Sequence, residues 1–338
     1  ADRIPIIDSP WDATIERWQR EGMPADQSYV DYFGLDKFVS HRLTDNSPRF
    51  PVQVLQETEK DTTYTSEWGV TMRQWKNVAS TPEFLSHTIV NADEWRKAKE
   101  RISPTRDRVN WEMLEKNYKH WREQEAWISP IVWFGFDVTH AWMVGTERVL
   151  VALAEDPQWL VDMWRTELET DLALLDMVWD AGYTFDSIMW FDDMGYKNHQ
   201  FFSMRMYRNL LKPFHQQAID WAHAKGIKAH LHSCGDVRPF VPELVNMGLD
   251  ALNPLEVKAG MDPRLLKQQF GKDLVFHGGI NAVLWDQPEA IQAEMEAVIP
   301  VMKENGGYIF SSDHSVPSNV SLEDFRGIIG LAKKLGSY

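Results

Sequence analysis

A chain of 338 residues, 43% apolar and 25% charged, has a globular composition and enough length for one large domain or two ordinary ones. Its formal net charge of -15 excludes nucleic acid and anionic membrane surfaces as partners, because both would repel it. The single cysteine excludes an internal disulfide framework and fits a reducing cytosol; with no signal peptide and no apolar run near the ~18 residues of a membrane span, a cytoplasmic protein is expected.

The chain opens on Ala rather than Met, so its first two residues carry no interpretation. Arg3-Ile-Pro-Ile-Ile-Asp8 reads as a buried strand ending in an acid, with Trp11 just beyond it. An amphipathic helix over about Asp12–Glu21 follows, stopped by Gly22. Asp8 either caps that helix or touches a ligand. Residues 50–77 turn β-rich and alternating, which predicts an antiparallel hairpin inserted on the main fold. Residues 82–103 and 109–126 are charged, helix-forming and dotted with Trp, and read as outer helices.

Ser129–Phe136 is the next buried strand, followed by Asp137, His140 and Trp142. A long helix over about 157–181 carries a Met and Trp stripe expected in the core. Asp186–Phe191 is a strand that contains Trp190 and runs straight into Asp192-Asp193. After a helix at about 204–225 comes Gly226-Ile-Lys-Ala-His-Leu-His-Ser-Cys-Gly-Asp236. Here a short strand at 228–232 delivers His232 and Cys234 into a turn, and Asp236 is placed to cap a helix from Val237. A thiolate and an imidazole two residues apart suit zinc, though two ligands do not make a site, and a buried structural Cys beside a satisfied His has the same spacing.

Strands at 250–253, 274–277 and 307–311 then alternate with helices at about 262–270, 287–304 and 321–336. Seven strands are counted and an eighth is expected between residues 30 and 60. Repeated strand–helix alternation implies a parallel sheet, so the expected fold is α/β: a (β/α)8 barrel, with a doubly wound open sheet as runner-up. A single domain over 1–338 is expected, with an insertion at about 50–126. No Gly-rich phosphate or dinucleotide turn follows any strand, which argues against NAD or ATP.

Asp8, Asp137, His140, Asp192, Asp193, His232, Cys234, Glu256, His277 and His314 all fall at or just past strand carboxyl ends. In a barrel those ends converge on one mouth. Capping residues account for part of such a pattern, but less readily for Cys234 and four histidines. The chain's 16 Trp would suit a pocket for a flat aromatic ligand.

Several motifs resemble the uroporphyrinogen decarboxylase superfamily, which includes zinc- and corrinoid-dependent methyltransferases. They are Trp190-Phe-Asp-Asp-Met-Gly195, His230-Leu-His-Ser-Cys-Gly235, Asn253-Pro-Leu-Glu-Val-Lys-Ala-Gly-Met-Asp262, Phe276-His-Gly-Gly279, the 313–325 loop and Arg3-Ile-Pro5. The resemblance implies a distorted (β/α)8 barrel. Decarboxylases of the superfamily bind an acidic tetrapyrrole through an arginine-rich segment near the N-terminus. This chain has Asp8-Ser-Pro-Trp-Asp12 there, a poor match for a porphyrin carrying several carboxylates.

The methyltransferase branch holds zinc through His-X-Cys and a further Cys in the last loop. His232 and Cys234 match the first part; aligning Glu323-Asp324 in the last loop places His314 where the methyltransferases have Cys and the decarboxylases have His. The resemblance therefore implies His232, Cys234 and His314 as zinc ligands, with Glu256 or Asp193 able to complete the set. It implies a methyltransferase exchanging a methyl group between a small substrate and a corrinoid, and the many Trp and Phe would suit a methoxylated aromatic. Asp192, Asp193 and His277 are the expected catalytic groups, and Asp8, Trp11, Asp137, His140, Trp190 and Glu256 the expected substrate contacts. No Asp-X-His-X-X-Gly cobalamin motif is present, so the corrinoid would come on a partner protein. Two rivals stand beside this reading: a metal-independent carboxy-lyase using Asp193 and His314, and a barrel that only binds a ligand.

Overall fold

In a computed structural model of the protein, which describes residues 2–76 and 81–338, Lys228–His232 is a strand as expected. Its Ala229, His230 and Leu231 are buried, as a parallel strand covered by helices requires. Residues 77–80, inside the expected insertion and overlapping the end of the expected hairpin, lie outside the described residues. The chain divides into two units: residues 1–38, 195–200 and 230–338, and residues 39–194 and 201–229.

The first unit is built on parallel strands. Ala251–Asn253 pairs with the end of Lys228–His232, Leu252 opposite Leu231 and Asn253 opposite His232. Val275–His277 lies on its other side with Phe276 opposite Leu252, and Tyr308–Ile309 follows with Ile309 opposite His277. Between them run the helices Val241–Met247, Pro263–Phe270 and Pro288–Met302, and Leu322–Gly336 closes the chain. The expected strand at 4–7 is present as a short parallel bridge. Ile7 donates its N–H to the carbonyl of Phe310, and Phe310 donates to that of Pro5. Pro5 has no N–H of its own, so the ladder cannot lengthen there. On the other side Asp36 donates to the carbonyl of Ile6.

The helix expected from Val237 begins at Val241. Pro239 disfavours helical backbone at Arg238. Asp236 is therefore not the cap; its carboxylate accepts from the backbone N–H of Arg238 at 3.2 Å and from that residue's Nε at 2.8 Å.

The second unit continues the parallel pattern. Ile131–Val132 pairs with Ser187–Phe191, Ile131 opposite Met189. Ser129 and Ile131 donate to the carbonyls of Val39 and His41, so the hidden strand expected between 30 and 60 lies at Phe38–Val39 and just beyond. The helix Gln158–Asp180 buries Met163, Trp164, Leu168, Leu172, Leu175 and Val178, the expected core stripe. The same face buries Glu167 and Asp171, which was not expected. The helix at 204–225 is interrupted: a π-helical turn at Tyr207–Leu211 joins Met204–Met206 to Lys212–Ala224. Pro213, at the start of the latter, cannot donate back to the preceding turn.

The insertion is larger than a hairpin. Gln53–Glu57, Asp61–Thr65, Val70–Trp75 and Glu83–His87 form a four-stranded antiparallel sheet in chain order. Within the β-rich stretch read as a hairpin, the chain turns once more at Gly69, whose φ of +78° and contact with the Phe50 ring exclude a side chain. The helix expected over 82–103 is corrected as well. Glu83–His87 is drawn into pairing with Val70–Trp75, and the helix starts at Ala92, where Asn91 caps the N–H groups of Asp93 and Glu94.

Candidate functional site

In the first unit the strand end at 232 sets the local geometry. Asn253 donates through Nδ2 to the carbonyl of His277 at 3.1 Å, which turns its Oδ1 towards His232. That oxygen lies 2.6 Å from His232 Nδ1, so Nδ1 carries the proton and Nε2 presents its lone pair. Nε2 faces the Cys234 sulfur at 3.3 Å. Two ligands on one tetrahedral zinc, with bonds of about 2.3 and 2.05 Å, would stand about 3.5 Å apart. Both side chains are half-buried, the second ring nitrogen is oriented by an amide, and the donor set is nitrogen and sulfur. The pair fits a zinc ion.

Backbone packing holds the Cys234 turn. Gly235 has φ +79°, and a Cβ there would lie 2.2 Å from the carbonyl carbon of Gly195. A Cβ on Gly195 would in turn lie 2.7 Å from the backbone nitrogen of Asp236. The two glycines quoted in the Asp192–Gly195 and His232–Gly235 motifs thus let two loops touch backbone to backbone. Asp236 donates its N–H to the carbonyl of Tyr196, and Gln200 donates to the carbonyl of Asp236 at 2.9 Å.

Glu256 accepts from the N–H of Gly235 at 2.7 Å through one oxygen, and Lys258 Nζ lies 3.4 Å from the other. It therefore anchors the residue after Cys234. Asp313, overlooked in the sequence, is buried and accepts from the N–H groups of Val257 at 3.0 Å and Ala282 at 2.8 Å. His314, next to it, is exposed, with its ring 6.1 Å from that of Trp11. Asp8 is buried and does not cap the first helix, whose N-cap is Trp11 with no side-chain cap. It accepts instead from the N–H and Oγ of Ser312, both at 2.8 Å, and from Ser9. Burial outweighs these bonds and raises its pKa to about 6. His277 is buried, and burial pushes its pKa down to about 3. It is therefore neutral at physiological pH and poorly matched to taking up a proton there. His230, on the strand Lys228–His232, is driven the same way by burial.

In the second unit Asp192 is fully buried. One oxygen accepts from the N–H of Asp137 at 2.8 Å, and the other lies 2.8 Å from His215 Nε2. His215 Nδ1 lies 3.1 Å from the Tyr207 hydroxyl, making a buried Asp–His–Tyr chain. Gly135 permits it: a Cβ at that residue, whose φ is +108°, would lie 2.4 Å from Asp192 Oδ2. His215 and Tyr207 lie in the middle of a helical run and gave no signal in the sequence. Asp193 is half-buried. Asp137 Oδ1 stands 3.3 Å from His140 Nε2, and the His140 ring packs on Phe136, centroids 4.5 Å apart. Trp190 is fully buried against Phe134 and His215.

Glu167 and Asp171 are buried four residues apart on one helical face. Burial raises Asp171 to about 6, against the pull of Arg42, and raises Glu167 well above the usual carboxylate range. Glu167 has no hydrogen bond on either carboxylate oxygen among the described residues. Two acids at helical i, i+4 spacing inside an apolar stripe were visible in the sequence, but only the Met and Trp stripe was expected in the core.

A profile of the family described as uroporphyrinogen decarboxylase (URO-D) matches residues 138–335. A search of curated proteins gives no match. Among solved structures, a methyltransferase from Methanosarcina mazei is similar with a TM-score of 0.67 and 16% identity, over 99% of this chain and 94% of that one. That likeness, together with the parallel strands and alternating helices, makes the fold a distorted (β/α)8 barrel. A Penicillium canescens endo-1,4-beta-xylanase aligns with a TM-score of 0.38 and 10% identity over 74% of this chain and 91% of that one. A B12-independent methionine synthase from Shewanella sp. aligns with 0.40 and 11% over 91% and 83%. Neither of these two supports an argument.

Proposed function

Because this chain belongs to the uroporphyrinogen decarboxylase family, we propose that it is a methyltransferase, moving a methyl group between a small methoxylated aromatic substrate and a corrinoid carried on a separate protein. The observation that carries the reading is the His232–Cys234 pair, nitrogen to sulfur 3.3 Å, with Asn253 fixing the imidazole. Thiolate and imidazole held together at a strand end are suited to zinc, and a porphyrin decarboxylase has no evident use for them. The fold likeness to a protein named as a methyltransferase supports the same reading.

Zinc held there would act as a Lewis acid on the oxygen or sulfur that gains or loses the methyl group. His232 and Cys234 are the proposed first ligands. His314 and the carboxylates Glu256 and Asp193 are the proposed candidates to complete the set. Asp193 is the proposed proton-handling group. Asp192, already committed to His215 and the Asp137 backbone, would position the loop that carries Asp193. Trp11, Asp8, Asp137, His140 and Trp190 remain proposed substrate contacts. No helix among the described residues is long and apolar enough to cross a membrane.

The test is methyl transfer from a methoxylated aromatic to cob(I)alamin, before chelation, after chelation and after zinc is restored. Activity that falls on chelation and returns with zinc is the expected result. Full activity in metal-free protein refutes the metal-assisted mechanism. Release of carbon dioxide from a small acid without methyl transfer replaces the reading with the lyase.

A further inference from the structure

Two imidazole nitrogens in the first unit have no role in the chemistry above. His230 and His232 are two residues apart on one strand and so project to the same face. His230 is 4% exposed and His277 5% exposed, with ring centroids 5.3 Å apart. Among the described residues, His230 Nε2 and His277 Nδ1 both lack a hydrogen-bond partner. An orphaned buried polar atom carries a desolvation penalty, so a group that bonds to both relieves it. Phe38 stands beside the pair, 6.3 Å from His230 and 6.4 Å from His277, with an interplanar angle of 70° to each.

The chemistry of these atoms limits what they can hold. Both rings are almost fully buried, where a charge would be costly to desolvate, so the pair supplies hydrogen bonds rather than a counter-charge. A neutral imidazole nitrogen either donates or accepts. A hydroxyl oxygen can accept from one ring and donate to the other. A carboxylate can only accept, and it would be desolvated beside neutral groups. The edge-on Phe38 ring suits an aromatic neighbour.

We propose that His230 and His277 form the oxygen-binding floor of the substrate site and select an uncharged phenol or aryl ether over an aromatic carboxylate. The inference rests on the methyltransferase reading, and it names the substrate group that reading requires.

The test is calorimetric titration of the full-length protein with phenol and with benzoate, which needs neither metal nor turnover. Phenol should bind saturably and more tightly than benzoate. His277→Phe and His230→Phe should each weaken phenol at least tenfold, while His277→Gln, which keeps a hydrogen-bonding group, should stay within about threefold of wild type. Circular dichroism checks that the variants fold. Should the Phe variants not fold, 15N-histidine spectra of the wild-type protein decide: phenol must shift two imidazole signals, one of them missing in His277→Gln. No phenol binding, tighter benzoate binding, equal phenol binding in folded Phe variants, or unmoved imidazole signals overturns the inference. Phenol binding as stated with no methyl transfer refutes the methyltransferase reading alone.

Discussion

Asp171→Asn should make the protein more stable at neutral pH and no more stable near pH 4. Asp171 is fully buried; one oxygen accepts from Thr44 Oγ1 and the other from the N–H of Trp133, both at 2.7 Å. Asparagine can keep both bonds, accepting from Trp133 and donating to Thr44, whose hydroxyl can rotate to receive it. Only the buried charge is lost. The folded-state pKa, about 6, lies above the ordinary 3.8. The folded state thus binds more protons between those values, and wild-type stability falls as pH rises from 3.8 to about 6, then levels off. At 1.36 kcal/mol per pKa unit the loss is about 3 kcal/mol. With about 2.1 cal/mol/K of unfolding entropy per residue, that is roughly 4 °C in Tm for a chain of this length. Scanning calorimetry of both proteins from pH 4 to 8 should show the Asn variant ahead by about that much above pH 6, with the gap closing towards pH 4. A gap that does not vary with pH, or a variant less stable than wild type at pH 8, would refute the reasoning.

Three further outcomes follow from the same geometry. Cys234→Ser should lose zinc and methyl-transfer activity together while Tm stays within a few degrees, since a hydroxyl is a far poorer zinc ligand than a thiolate; plasma emission spectrometry and calorimetry read both. Asn253→Leu leaves His232 Nδ1 without its acceptor and should weaken zinc about 10–100-fold in competition with a chelator, although Asn253 itself is not a proposed ligand. Gly135→Ala places a methyl group 2.4 Å from Asp192 Oδ2 at a φ of +108° and should cost on the order of 3–5 kcal/mol by disturbing the buried Asp192–His215 pair; a Tm within 2 °C of wild type would show that the loop yields.

The strands at 187–191 and 228–232 were legible to within a residue, because buried parallel strands are short apolar runs bounded by turn residues. The insertion was not. Thr62–Trp75 alternates throughout, and only the requirement of Gly69 for a left-handed turn against Phe50 cuts it in two. Glu83–His87 has a helix-like composition, and its pairing with Val70–Trp75 overrides that local preference. Asp236 and Asp8 both looked like helix caps, and both are engaged elsewhere, by Arg238 and by Ser312.

The sequence by itself determined the α/β class, the family motifs and the placing of His232 and Cys234 at a strand end, because periodicity and spacing are local properties that survive without a partner segment. The tertiary structure alone decided which atoms of those residues are available. Asn253 sets the His232 tautomer from the neighbouring strand, and His215, 23 residues along the chain and itself bonded to Tyr207, takes up Asp192. Burial sends His277 down and Asp171 up. Tautomer, hydrogen-bond partner and desolvation depend on which groups meet through space, and a linear pattern of residue types does not encode that meeting.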